Sequence, residues 1–127
     1  MSEPSISGYY KKNFPLHERI KKCDELRNKH PDRIPCICEK SKGARLNTLE
    51  SYQLSIPEDA DVNQLSFILR RKLNINEISA LFLIVEDSNQ NKYSLTGNKT
   101  IKEIYSKYCD PEDKFLYITY ASEDLWG

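Results

Sequence analysis

Apolar positions recur along the chain with two different periods, and the switches between them outline the elements. Phe14-Pro15 opens the first helical stretch, proline being tolerated in a first turn. Leu16, Ile20 and Cys23 fall at i, i+4 and i+7, with Leu26 three further on. That spacing predicts one apolar stripe on a charged helix that ends before His30-Pro31. Arg33-Ile34-Pro35-Cys36-Ile37-Cys38-Glu39 is short, apolar and β-branched and reads as a strand, with Pro35 marking a sheet edge or a strand start. Lys42-Gly43-Ala44 turns the chain. Tyr52, Leu54 and Ile56 then alternate with Ser51, Gln53 and Ser55, the period-2 signal of a half-exposed strand, and Pro57 stops it.

Asp61 with Gln64 three residues later forms a capping box, opening a helix whose Val62, Leu65, Leu69 and Leu73 make a core stripe. Arg70, Arg71 and Lys72 sit near its negative C-terminal end. Ala80 to Val85 is continuously apolar, as in a strand buried on both faces. Asp87 to Lys92 is a polar turn and Tyr93-Ser94-Leu95 a short strand. Thr100 and Glu103 form a second capping box before a short helix from Ile101 to Tyr108, and Phe115 to Tyr120 is a final strand. Residues 1 to 13 are polar apart from Ile6, Tyr9 and Tyr10 and read as a mobile arm or a short loose helix.

The order is helix, β, β, α, β, β, short α, β. Two hairpins around a helix, with the last strand returning between them, describe an α+β protein of the β-grasp type. Repeats, low-complexity tracts and Gly/Ser linkers are absent from the sequence. The expected organisation is one domain over 1–127: a helical extension at 1–30, the core at 31–120 and a flexible tail at 121–127. Its 127 residues, with 39% hydrophobic and 30% charged, suit one core and fall short of a disordered composition.

Nineteen basic and nineteen acidic residues cancel, which argues against nucleic-acid binding driven by bulk positive charge. The cancellation is not local. Residues 11 to 45 hold eleven basic and five acidic side chains, whereas residues 46 to 127 hold eight and thirteen. A basic first third can steer toward acidic surfaces or anionic membranes, although exposed charge is also what any solvated helix carries. No apolar run is long enough to span a bilayer, and Met1-Ser2-Glu3-Pro4-Ser5 lacks a secretory hydrophobic region. A cytoplasmic chain with reduced thiols at Cys23, Cys36, Cys38 and Cys109 is therefore expected. Cys36 and Cys38 lie two apart and share one strand face. Their spacing does not match common zinc sites, and nothing local activates one thiol, so no metal, no cofactor and no catalytic group is expected.

The segments HPDRIPCICEK, LSFILRRKLNI, ALFLIVED and KFLYITYASEDLWG together resemble the GABARAP-like ubiquitin-like modifiers of autophagy. The resemblance runs from about Phe14 to Gly127 and includes the two N-terminal helices that separate that family from plain ubiquitin. It implies a mechanism. A cysteine protease exposes a C-terminal glycine, an activating enzyme adenylates it, and conjugating enzymes pass it through thioesters to the amine of phosphatidylethanolamine. Here that residue is Gly127, whose missing Cβ suits a tail threading narrow enzyme channels; the chain reads as naturally exposed or already processed. Two acyl chains would then carry a protein without a membrane segment onto the autophagosome membrane.

The family also binds receptors bearing aromatic-x-x-aliphatic motifs, which add as a strand to the exposed edge of the second strand. The resemblance places Leu26, Pro35 and Phe115 in the first pocket, with Arg33 as a basic neighbour. It places Leu54, Ile56, Pro57, Leu65 and Ile68 in the second, and Gln53 and Ser55 on the docking strand between them. This chain departs from the pattern: Ser51, Gln53, Leu54 and Ser55 replace the usual lysines and aromatic-leucine pair, and Lys22 replaces an acidic residue. An altered or weakened peptide preference is expected. Leu54 and Ile56 could equally be plain core. Two other readings stay open: a modifier attached to a protein lysine, or an unconjugated adaptor for acidic surfaces such as tubulin tails.

Overall fold

The computed structural model describes residues 6–76 and 79–122. Four helices and five strands follow in the order α1 (Tyr9–Asn13), α2 (Leu16–Lys29), β1 (Arg33–Lys40), β2 (Gln53–Pro57), α3 (Val62–Leu73), β3 (Phe82–Glu86), β4 (Lys92–Ser94), α4 (Ile101–Tyr108) and β5 (Leu116–Ala121). The sheet order is β2-β1-β5-β3-β4. β1 and β5 run parallel at the centre, Cys36 opposite Leu116, and each is flanked by an antiparallel neighbour. This is the β-grasp expected from the element order, with two helices added before it.

Both capping boxes form as read: Asp61 accepts from the Gln64 amide at 2.8 Å and Thr100 from the Glu103 amide at 3.2 Å, with the reciprocal bonds in place. Asn74 ends α3 in the left-handed region at φ 57°, a conformation asparagine tolerates better than most residues.

The sheet is covered on both faces. Alternate residues of β1 separate the two layers. Ile34, Cys36 and Cys38 face the main core with Leu65, Leu69, Leu73 and Ile104 from α3 and α4. Ile37 faces the other way, with Tyr10, Cys23 and Phe115 under α1 and α2. Three expectations change here. Tyr10 is a buried core residue, so residues 9–13 are a docked helix rather than a mobile arm. The stripe on α2 is rotated: Arg19 and Cys23 are buried, while Leu16 and Ile20 stand 36% and 37% exposed. Pro35 lies in an internal strand, between β2 and β5, not at a sheet edge.

The placement of Pro35 has a simple cause. The Cys38 amide bonds to the Tyr52 carbonyl at 2.7 Å, so residues 34, 36 and 38 direct their backbone groups toward β2. Residue 35 therefore points its nitrogen toward β5, whose pairing begins only at Cys36. The missing N–H costs no ladder bond.

Candidate functional site

The same alternation decides what β2 offers. Leu54 and Ile56 bond to β1, so Gln53, Ser55 and Pro57 turn their backbone groups outward from an edge that no further strand covers among the described residues. Two of those outward carbonyls are met by the chain's own side chains. The Arg33 guanidinium donates to the Ser55 carbonyl at 3.2 Å, and the Ser51 hydroxyl to the Gln53 carbonyl at 3.2 Å.

Of the residues expected in the first pocket, Leu26 and Phe115 share the layer under α1 and α2. Phe115 packs with Tyr10, Cys23 and Ile37, Leu26 lies half-buried against the same group, and Pro35 is fully buried. They form a floor rather than open walls. Leu54, Ile56 and Leu65 likewise sit in the main core, while Pro57 and Ile68 are half-buried at its rim.

Two hollows of about 500 Å³ each lie beside these floors. One runs between α2 and the start of β2, lined by Tyr10, Phe14, Glu18 and Lys22 on one side and by Glu50, Ser51, Tyr52 and Gln53 on the other. Tyr10 stacks at a tilt on Phe14, ring centroids 4.9 Å apart, and on Tyr52 at 5.7 Å. The second hollow lies on α3 and includes Ile68, Gln64 and Phe67. Phe67 stands 56% exposed with the Arg71 guanidinium 5.8 Å from its ring centroid. Sequence reasoning missed Tyr10, Phe14, Tyr52 and Phe67 as lining residues. Two signals were present: Tyr10 and Phe14 share an i, i+4 spacing, and Phe67 lies off the Val62-Leu65-Leu69-Leu73 stripe.

Buried charges hold the two N-terminal helices in place. The Glu39 carboxylate accepts the Tyr10 amide at 2.8 Å and the Gly8 amide at 3.2 Å, capping the start of α1. Burial raises its pKa above the usual carboxylate range, and those two bonds only partly oppose this. Lys11 pairs with Asp110. Burial acts to raise Asp110, but Lys11 and the amides of Asp113 and Glu112 outweigh it and hold the carboxyl below its ordinary value. The Arg19 Nε donates to Asp113 Oδ2 at 2.9 Å, and a second guanidinium nitrogen to the Phe14 carbonyl at 2.6 Å. Asp113 also accepts the Tyr117 hydroxyl and the Phe115 amide. These contacts fix the wall of the first hollow against the sheet.

The three buried thiols are poor nucleophiles. Burial pushes Cys23 and Cys38 up to about 12 and raises Cys36 well above an ordinary thiol. Among the described residues, no group of three or more His, Cys, Asp or Glu side chains converges on a metal position, and no helix is long and apolar enough to cross a membrane. Gly127 and Trp126 lie outside the described residues.

A family model described as autophagy protein Atg8, ubiquitin-like, matches residues 18–127. Among solved structures, the crystal structure of Trypanosoma brucei ATG8 matches with a TM-score of 0.82 at 33% sequence identity, over 95% of this chain and 99% of that one.

Proposed function

The chain belongs to the Atg8 ubiquitin-like family of autophagy proteins, and on that premise we propose that it is a modifier joined through Gly127 to phosphatidylethanolamine that gathers receptors at the β2 edge. The observation that carries the receptor half is the outward-facing backbone of Gln53 and Ser55 on an uncovered sheet edge among the described residues. A receptor's aromatic-x-x-aliphatic segment would pair with that backbone, displace Arg33 from the Ser55 carbonyl and anchor side chains over the two floors. Leu54, Ile56 and Leu65 support the second anchor from beneath, and Pro57 and Ile68 meet it directly.

The conjugation half rests on chemistry at Gly127. A glycyl carbonyl has no Cβ beside it, so activating and conjugating enzymes can pass it between adenylate, thioester and amine with little steric hindrance. A cysteine protease acting at the same bond would expose or release it. The product carries two acyl chains, enough for stable attachment to the autophagosome membrane. The protein is the group carried, not the catalyst.

Incubating the full chain with its activating and conjugating enzymes, ATP and phosphatidylethanolamine vesicles tests this by mass spectrometry of the intact product. The expected result is the mass of one lipid less one water, lost when Gly127 is deleted. A protein-sized adduct would support conjugation to a lysine instead, and lipid addition persisting without Gly127 would overturn the proposal.

A further inference from the structure

We infer that the groove between α2 and the start of β2 receives lysine or arginine side chains placed just ahead of the aromatic anchor of a docked peptide. The inference rests on the peptide-docking reading above and specifies the partner's chemistry at that site.

The geometry sets which part of the peptide arrives here. β2 runs from Gln53 to Pro57, and the rim of the second pocket, Pro57 and Ile68, lies toward its far end. A segment with its aliphatic residue there and its aromatic residue over Pro35 and Phe115 extends its preceding residues back toward Gln53 and Glu50. They enter the first groove.

The groove's chemistry favours a cation. Its inner wall is aromatic, with Tyr10 packed against both Phe14 and Tyr52. Such rings accept both the apolar stem of a lysine or arginine and the charge at its end. On the rim stand two carboxylates, Glu18 and Glu50, against one ammonium, Lys22. The rim therefore carries a net negative charge, and Glu50 is its carboxylate on the β2 side. Among the described residues, it makes no ion pair. Ser51 and Gln53, also in the lining, are neutral. An acidic flank entering this groove meets two carboxylates, Glu18 and Glu50, and one ammonium, Lys22.

The test uses fluorescence anisotropy on the full chain with three peptides sharing one aromatic-x-x-aliphatic core. Their three preceding residues are lysine, serine or glutamate. The lysine peptide is expected to bind about fivefold more tightly than the glutamate peptide, with the gap narrowing at high salt. Glu50→Gln should reduce that gap and Glu50→Lys should abolish or invert it. Binding of the glutamate peptide as tightly as the lysine peptide overturns the inference and leaves edge docking standing. So does a lysine preference that survives Glu50→Lys unchanged. If none of the three peptides binds, the docking reading itself fails and the inference goes with it.

Discussion

Removing the Asp113 carboxylate would leave the Arg19 guanidinium buried with its charge unmatched. It would also strip an acceptor from the Phe115 amide and the Tyr117 hydroxyl. Asp113→Ala is therefore expected to lower stability by about 3–5 kcal/mol in denaturant unfolding, the range for breaking a buried pair from one side. Replacing both partners with apolar residues should cost less than that single change, because no orphaned charge remains. This pair also explains why the inward face of α2 was hard to read. Hydrophobic spacing favours Leu16 and Ile20, yet the helix turns Arg19 inward because its partner lies ninety-four residues away on the approach to β5. No local pattern encodes a partner at that distance.

Elements whose stabilising contacts are local were readable almost to the residue. The boxes at Asp61 and Thr100 join residues only three apart, so sequence and structure carry the same information. Asp61→Ala should cost about 1 kcal/mol of stability by thermal or denaturant unfolding, since it orphans the Gln64 amide at the start of α3. α1 was less legible. Five residues cannot sustain a helix by propensity; this one is held by a Glu39 carboxylate and a ring cluster supplied from the sheet. Pro35 was read as marking a sheet edge or a strand start; it lies near the start of an internal strand, because proline's rule forbids a lost ladder bond, not an internal position.

At the scale of the whole molecule, the N-terminal helices and the β-grasp meet through groups that titrate in opposite senses. Asp110 is held below its ordinary value, so its contribution is present above the unfolded carboxylate pKa of about 3.9 and is lost as pH falls through the lower folded value. Glu39 is raised, so its contribution is fullest at low pH and fades as pH rises through its folded value. Comparing the protein with Asp110→Asn isolates the first effect. Hydrogen exchange at the Lys12 and Phe14 amides, which bond within α1, should be faster in the variant at about pH 6. The difference should shrink as pH drops below about 4 and through the lowered folded value of Asp110. An unchanging gap would place the helix's anchorage elsewhere.

The sheet order has a consequence for the order of synthesis. β1–β2 and β3–β4 are two separate hairpins, and every hydrogen-bonded link between them in the sheet passes through β5. A ribosome releasing this chain therefore exposes two half-sheets, each with an apolar face, before the strand that unites them emerges. Folding cannot finish until Leu116–Ala121 is clear of the exit tunnel, and the contacts it then makes span most of the chain's length. The nascent protein's most vulnerable interval thus lasts until that strand emerges, when chaperones would be of most use.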